Sequence, residues 1–391
     1  MDLLSLDTWL LPPHNRLSLH QVDRLVSTDA ITTGDRTPRV LHVEGSPFDL
    51  EASPVTLAPG RETTVHEFLE LTNTDAIIVL HEDQVLYEKY FGDNTPQSRH
   101  IVMSISKSVC GMVAGILVDE GLLDLDATTV TYIPELEGGS YDGSTVRQLL
   151  DMTAAPDFDM TYTDPSTEVQ AGDRSAGWRT RRDDDADGTR AFLEGLRGSG
   201  DHGSTFQYCS ATTDVLAWVL ERASGLPYAR LVETRLWQHL GAEAEALITV
   251  DNHGTPYACA GVNMRLRDLA RFGRLILDGG RFDGRQVIPE EWIRTTVRGG
   301  DFDTFSEEEP RPGTYRNQWW VPGDSHGSFY AVGIFGQYLW LDPTTGITIA
   351  KFSSEVDPLG HSSEHINALR SIASSAQRLS RTNDSSEGTN K

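Results

Sequence analysis

The stretch VMSISKSVCGMVAGILVDEG, residues 102–121, restricts the fold of this chain more than any other segment. Its apolar residues recur at the spacing of one helical face, namely Val109, Met112, Val113, Ile116 and Leu117. The opposite face carries mostly small residues, namely Ser104, Lys107, Ser108, Gly111, Ala114 and Gly115. A helix that is apolar on one side and small on the other is typically buried on both sides, so we predict a buried helix over residues 104–118.

Lys107 is a charged residue in the first turn of this buried helix, and Ser104 lies three residues before it. On a helix this spacing brings the two side chains to one face at contact distance. Burial disfavours the charged ammonium, and a neutral lysine amine can accept the proton of a serine hydroxyl. The pair therefore predicts that Ser104 attacks a carbonyl with Lys107 as its base, while backbone N–H groups at the helix N-terminus stabilise the oxyanion.

The Ser-x-x-Lys spacing has a second interpretation, in which Lys107 extends to solvent and the spacing arises by chance. The tetrapeptide alone does not decide between the two interpretations. A charged side chain in a buried helix conflicts with packing, and such conflicts tend to mark functional sites, which favours catalysis.

The acidic composition argues against several classes of partner. The formal net charge is -25, and phosphate binding needs clustered lysine and arginine, so we expect neither nucleic acid nor an anionic membrane as a partner. Lysine occurs only at positions 89, 107, 351 and 391. This composition fits a protein of a salt-loving organism, and it equally fits an ordinary acidic surface.

The apolar and cysteine patterns point to a cytoplasmic protein without disulfides. No apolar run reaches the length of a membrane-spanning helix, and the N-terminus MDLLSLDTWLLPPHN lacks the pattern of a signal peptide. Cys110, Cys209 and Cys259 are widely spaced and form no Cys-x-x-Cys or Cys/His cluster. We therefore expect no disulfide framework, no metal site and no cofactor.

The order of apolar patterns along the chain predicts its organisation. Residues 1–65 mix polar and apolar residues with Pro and Gly and are expected to form an irregular N-terminal wrap. Residues 66–130 and 270–380 are expected to form an α/β sheet domain, with residues 131–269 as an inserted helical domain. Residues 381–391 contain no apolar side chain and are expected to be a disordered tail.

Individual segments refine this organisation. Residues 75–92 read as two β-rich runs around a polar turn and predict an antiparallel hairpin. Helical periodicity recurs at residues 213–225 and 264–280, whereas the polar stretch 157–187 is expected to form surface loops. Strands at both ends of the chain with helices between them predict an α+β fold, an antiparallel sheet flanked by helices with a mostly helical insertion.

With its Ser-x-x-Lys helix, the chain resembles the penicillin-recognising serine hydrolases. This superfamily includes the serine β-lactamases and D,D-peptidases, in which Ser-x-x-Lys opens a central helix. Within it the chain is most similar to the 6-aminohexanoate-dimer hydrolases, also called nylon oligomer hydrolases. The resemblance spans Thr8 to about Leu379 and is carried by PPHNR, VMSISKSVCG, LVDEG, DPSTEVQ, DRSAGWRTRRD, FQYCSATTDVLAW, RDLARFGR and GQYLWLDP. It implies a β-lactamase/D,D-peptidase-like fold.

The resemblance also implies roles for three tyrosine and aspartate residues. The second motif of the superfamily, Tyr-x-Asn or Tyr-x-Ser, matches residues 208–210, so Tyr208 would relay a proton to the leaving group. Tyr162 and Asp173 match residues that, in nylon oligomer hydrolases, close over the substrate and bind its free amino group. The alternative is that Tyr208 merely packs ahead of a helix and that Tyr162 and Asp173 are polar residues of a solvated loop.

The chain departs from the superfamily pattern at two positions. The third motif is Lys or His, then Thr or Ser, then Gly, whereas GIFGQ at residues 333–337 has neither cation nor hydroxyl. Nylon oligomer hydrolases also lack Lys-Thr-Gly there, and carried over from them the oxyanion donors are the backbone N–H groups of Ile334 and Ser104. The second departure is Cys259, which replaces an asparagine on the substrate side and is therefore a candidate substrate-binding residue.

These features predict a metal-free serine hydrolase that forms an acyl-enzyme on small linear amides or esters. One alternative is a carboxylesterase or β-lactamase-family protein without amide-dimer activity, because the absent third-motif cation normally meets a substrate carboxylate. The other is a binding protein that becomes acylated and stays acylated, as penicillin-binding sensors do. The sequence leaves a homodimer open.

Overall fold

The computed structural model describes residues 4–43, 50–198, 200–305 and 313–387, with side chains as far as Leu379. The helices are α1 Asn15–Ser18, α2 Val65–Leu71, α3 Ile105–Asp119, α4 Thr129–Tyr132, α5 Val146–Leu150, α6 Glu168–Ser175, α7 Thr189–Gly195, α8 Ser210–Ser224, α9 Tyr228–Arg235, α10 Leu266–Leu277, α11 Glu290–Arg298 and α12 Ser362–Glu387. The strands are β1 Thr28–Ile31, β2 Pro54–Ala58, β3 Arg61–Thr64, β4 Thr74–His81, β5 Gln84–Tyr90, β6 Arg99–Ile101, β7 Ala246–Thr249, β8 Val262–Arg265, β9 Arg281–Phe282, β10 Arg285–Gln286, β11 Thr314–Arg316, β12 Trp319–Val321, β13 Phe329–Gly333, β14 Gln337–Asp342 and β15 Ile347–Ser353. Within these residues no helix combines the length and apolarity needed to cross a bilayer.

Seven antiparallel strands form the central sheet, in the order β11-β12-β13-β14-β15-β4-β5. The hairpin β4–β5 joins β15 from the far end of the chain, with Val79 opposite Ile349. Alternate side chains of β4 face opposite layers. Ile78 packs in a core with α3 and α10, whereas Ile77 and Val79 pack with α12. The predicted α+β fold, with one antiparallel sheet built from distant segments, is confirmed.

Helix α3 is buried on both sides, as its pattern predicts, because every residue of 105–117 is buried. The small face admits its neighbours at very short range. A Cβ at Gly111 would lie 2.1 Å from the carbonyl oxygen of Asn317, and a Cβ at Gly115 would lie 2.4 Å from the ring of Trp292. Glycine therefore lets α11 and the turn between β11 and β12 lie directly against the helix that carries Lys107.

A second sheet, in the order β1-β7-β8-β6, was not predicted. Its strands have three or four residues each, too few for alternation to distinguish them from loops. Strands β7 and β8 lie within the segment 131–269 that was expected to be helical, and Thr28 of the N-terminal segment pairs with Thr249. This sheet matters for function because β6 leads directly into the turn before α3.

Two other segments differ from expectation. The polar stretch 157–187 contains α6, whose inward face is buried. Its polarity misled the prediction because charged residues there are buried in pairs, such as Arg174 with Asp185 at 2.8 Å. At the C-terminus, α12 continues to Glu387, so the backbone of the expected tail is helical over 381–387, and residues 388–391 lie outside the described part of the chain.

Candidate active site

Ser104 occupies the N-cap of α3, at the end of a turn that begins with β6. Met103, directly before it, has a φ of 49°, in the left-handed region that non-glycine residues rarely adopt. The turn is tied to the second sheet because Val102 N–H donates to the Val262 carbonyl at 2.9 Å. The Ser104 hydroxyl does not cap the helix. A strained turn thus fixes the serine at the helix end with its hydroxyl available for other partners.

The Lys107 side chain is 1% exposed and ends among three oxygen atoms. Its Nζ donates to Ser104 Oγ at 2.9 Å, to Ser210 Oγ at 3.2 Å and to the carbonyl oxygen of Cys259 at 2.9 Å. Three acceptors match the three N–H donors of an ammonium group. Lys107 therefore points inward and contacts the serine, and the alternative in which it extends to solvent is wrong.

The protonation of Lys107 differs from the sequence-based expectation. Burial by itself lowers the pKa of Lys107, but the acidic groups of Tyr208, Cys259 and Asp214 act in the opposite direction and raise the pKa above its ordinary value. The expectation that burial leaves a neutral amine is therefore wrong for the resting site. The sequence showed that the helix is buried, and it did not show that three acidic side chains surround the amine.

Tyr208 lies beside this ammonium group. The Nζ of Lys107 is 5.1 Å from the centroid of the Tyr208 ring, and the ring in turn packs on Trp320 with centroids 5.5 Å apart. Tyr208 precedes α8 by two residues, and Ser210, which accepts from Lys107, is the first residue of that helix. The first two motifs thus meet at the lysine, and the cation–π contact holds the tyrosine ring there.

The turn after β13 brings Ile334 to the serine. A Cβ at Gly333 would lie 3.0 Å from Ser104 N, so the strand end lies directly against the serine turn. The buried Gln337 holds the turn by donating Nε2 to the carbonyls of Ile334 and Phe335, both at 3.2 Å. This placement is compatible with the oxyanion role that the resemblance implies for the N–H groups of Ile334 and Ser104.

Two adjoining cavities, of about 430 Å³ and about 290 Å³, meet at Ser104. Ser104, Tyr162, Ile334 and Pro358 line both of them. The larger cavity contains charged side chains, whereas the described side chains that line the smaller one, Tyr208 among them, are all uncharged. A linear substrate that reaches Ser104 therefore has a different environment on each side of the reacting bond.

Asp173, a predicted substrate-binding residue, lies on the wall of the larger cavity, and its carboxylate is paired. Its Oδ2 accepts from Arg179 Nε at 3.1 Å and its Oδ1 accepts from the Tyr257 hydroxyl at 3.0 Å. Burial raises the pKa of Asp173, and Arg179 and Tyr257 partly oppose that rise. Partners are needed because a buried lone carboxylate is costly.

Cys259 lies behind Lys107. Its side chain is fully buried and is absent from the described residues that line the two cavities. Its backbone contacts the site instead, because the carbonyl accepts from Lys107 Nζ and the N–H donates to Asp214 Oδ1 at 2.9 Å. Cys259 therefore holds Lys107 through its backbone carbonyl, and its side chain lies away from the cavity surface.

Several residues of the site escaped the sequence analysis. Arg179 and Tyr257 pair with Asp173, and Asp214 and Gln337 hold backbone next to Lys107 and Ile334. The wall of the larger cavity also includes Leu10, Leu11 and Pro12 of the N-terminal segment, whose role the sequence did not indicate. Proximity to a motif was a usable signal for Arg179 and Gln337, whereas nothing local marks Tyr257.

Comparisons with known proteins agree with this geometry. The family described as beta-lactamase matches residues 63–373. A 6-aminohexanoate-dimer hydrolase of Paenarthrobacter ureafaciens is 44% identical over 363 residues, which cover 90% of this chain and 89% of that protein. The resemblance predicted from the sequence is confirmed.

Solved structures give the same answer for the fold. A protein of Bacillus anthracis, named as a candidate 6-aminohexanoate-dimer hydrolase, superimposes with a TM-score of 0.84 at 27% identity, covering 96% of this chain and 97% of that one. A family VIII carboxylesterase shares the fold with a TM-score of 0.58 at 16% identity, over 78% of this chain and 95% of its own. The chain therefore belongs to the beta-lactamase family of serine hydrolases.

Proposed function

We propose that the protein hydrolyses small linear amides or esters through an acyl-enzyme on Ser104. The proposed substrate type is 6-aminohexanoate dimer, after which the related hydrolase is named. The observation that carries the proposal is the buried contact of Lys107 Nζ with Ser104 Oγ where two cavities meet. Acyl transfer requires a nucleophile in contact with a proton acceptor, and a linear substrate requires space on both sides of its reacting bond.

In the proposed mechanism the Lys107–Tyr208 pair lacks one proton in its active form, which leaves Lys107 as a free amine beside the phenol of Tyr208. Ser104 Oγ attacks the carbonyl carbon, and the hydroxyl proton passes to Lys107 Nζ as the new Oγ–C bond forms. The N–H groups of Ser104 and Ile334 stabilise the oxyanion. The tetrahedral intermediate collapses as its C–N or C–O bond breaks, Tyr208 donates its proton to the leaving nitrogen or oxygen, and Lys107 returns the serine proton to Tyr208. Water then attacks the acyl carbon, and Lys107 takes a water proton and passes it to Ser104 Oγ as the Oγ–C bond breaks and the acid is released.

In this proposal the larger cavity holds the acyl half of the substrate, and Tyr162 and Asp173 shape it. A carboxylate offers about four acceptor positions, and Arg179 and Tyr257 occupy only part of them. A substrate ammonium group can therefore bind Asp173, but it shares the negative charge with Arg179. We expect weaker selection for an amino group than an unpaired carboxylate would give.

A carboxylesterase without amide-dimer activity is the second candidate, and the smaller cavity favours it. The leaving half of an amino acid dimer carries a carboxylate, and the described residues of that cavity offer no cationic side chain to meet it. Esters with uncharged alcohols fit such a cavity better. They also carry better leaving groups, so they depend less on Tyr208.

The test is intact-protein mass after incubation with a fluorophosphonate probe, for the wild type and for Ser104→Ala. We expect one adduct on the wild type and none on the variant, and steady turnover of a p-nitrophenyl ester by the wild type alone. No adduct would overturn the proposal, whereas an adduct with a single burst of product would favour the acylated sensor. Turnover of 6-aminohexanoate dimer then separates the amidase from the esterase.

Cytoplasmic location and a homodimer stay predictions. Fluorophosphonate labelling at both low and high salt separates a salt-adapted protein from one with an ordinary acidic surface. A protein adapted to salt loses activity when salt is removed. Size-exclusion chromatography with light scattering tests the homodimer.

A further inference from the structure

Asp214 is a buried carboxylate of α8 that the proposed mechanism does not use. It lies four residues after Ser210, one helical turn along α8, so both side chains are on the helix face toward Lys107. Its Oδ1 accepts from Cys259 N–H at 2.9 Å, and the carbonyl of the same Cys259 accepts from Lys107 Nζ at 2.9 Å. One residue of backbone thus links the carboxylate to the lysine.

Among the described residues, the cation whose charge acts on Asp214 is Lys107. The titratable groups on which Asp214 acts electrostatically include Lys107 and Cys110 of α3, Tyr141, Tyr228 of α9, Tyr257 and Cys259. In this set only Lys107 carries positive charge. Near neutral pH the other groups hold their protons, because burial raises the pKa of each thiol and phenol. The effect of Cys259 on the pKa of Lys107 therefore arises only at higher pH.

We infer that Asp214 is a positioning residue of the active site, which fixes the Cys259 backbone under Lys107 and supplies the negative charge that keeps Lys107 protonated in the resting enzyme. The inference rests on the proposed function, because it concerns how the Ser104–Lys107–Tyr208 group gains and loses its proton. Burial raises the pKa of Asp214 itself to about 7. Above that pH its charge opposes release of the lysine proton.

The pH dependence of kcat/KM on a p-nitrophenyl ester tests the inference. Asp214→Asn keeps an oxygen for the Cys259 N–H and removes the charge. Without the charge the pKa of Lys107 falls, so the pair loses its proton at lower pH. We expect the acid limb of the profile to move to lower pH by about one unit, the low end of the effect of a nearby opposite charge. A purely structural residue would change the height of the profile and not its position.

Asp268→Asn is the matched control. Asp268 is equally buried, accepts from Glu243 N–H at 2.8 Å, and has a pKa raised by burial, but it pairs with Arg271 away from the site. We expect this variant to lose stability, whereas the acid limb of its kcat/KM profile stays at the wild-type pH. Asp214→Ala removes both the charge and the hydrogen bond, so its limb also moves and its maximum rate falls.

An Asp214→Asn profile that superimposes on that of an active wild type overturns the inference and leaves the proposed function standing. A wild type that neither turns over the ester nor reacts with fluorophosphonate overturns both. If the asparagine variant does not fold, as judged by its thermal unfolding, Asp214→Ser takes its place with the same expected shift.

Discussion

The two buried lysines, Lys107 and Lys351, have opposite chemistry although burial is complete at both. Lys107 donates to three oxygens and faces acidic side chains, and its pKa lies above the ordinary value. Lys351, on β15, has a serine hydroxyl, the Nε2 of His365 at 3.2 Å and the Phe68 ring at 5.6 Å. Burial lowers the pKa of Lys351 to about 8.

The comparison shows that burial alone does not determine the charge of a lysine in this protein. Neighbouring acids outweigh burial at Lys107, whereas the acid nearest in effect to Lys351 is Glu355, whose own pKa burial raises to about 8. The lysine that burial moves toward a neutral amine is thus the one whose described contacts do not include Ser104. In the proposed function, contact with Ser104 and Tyr208 is what suits Lys107 to act as a base.

The largest expected effect separates the two lysines directly. Lys107→Met removes the proton acceptor of Ser104, and we expect kcat/KM on a p-nitrophenyl ester to fall by about 10²–10⁴-fold. Lys351→Met removes an equally buried amine with no contact to the serine, and we expect kcat/KM near that of the wild type. Equal losses in both variants, each folded by circular dichroism, would contradict the assignment of Lys107 as the base.

Tyr208→Phe makes the surroundings of Lys107 more like those of Lys351, because a phenyl ring then faces the amine. The variant cannot protonate the leaving group, so we expect a loss of about 10²-fold on an anilide and a smaller loss on a p-nitrophenyl ester. The matched control is Tyr338→Phe, at a tyrosine that lines the same cavity and stacks on His365. A similar loss in the control, or no preference for the ester, would remove Tyr208 from proton transfer.

The smallest effect concerns stability and comes from Lys351. The unfolded chain holds this proton up to about pH 10.5, whereas the folded protein releases it at about 8. Between these values unfolding takes up a proton, so the lysine lowers the free energy of unfolding below pH 8 and this penalty disappears as pH rises. Relative to Lys351→Met, we expect the wild type to gain about 2–3 kcal/mol from pH 8 to 10.5.

Guanidinium unfolding of both proteins across that pH range measures the gain. The titration of Lys107 is present in both proteins and cancels in the difference. Loss of Lys351 also removes a cation that lowers the pKa of Glu355, and this change acts in the same direction. A difference that is constant with pH would mean that Lys351 keeps its proton as Lys107 does.

The sequence by itself determined the helix, the contact between Ser104 and Lys107, and the family. The apolar and small faces of residues 104–118 are local patterns, and Ser104 and Lys107 belong to the same turn, so helix geometry alone brings them together. The hairpin of β4 and β5 is equally local. Motif order along the chain predicted Tyr208, and the family resemblance predicted Ile334. Both residues line a cavity with Ser104, and their catalytic roles stay predictions.

Only the tertiary structure decided the charge of the lysine and the character of the substrate cavity. Cys259, Asp214 and Tyr208 reach Lys107 from distant parts of the chain, and the pKa of a buried group depends on all of them together. The pairing of Asp173 with Arg179 and Tyr257 has the same origin. Electrostatic interactions between residues distant in sequence leave no periodic pattern, so no local window of the sequence contains them.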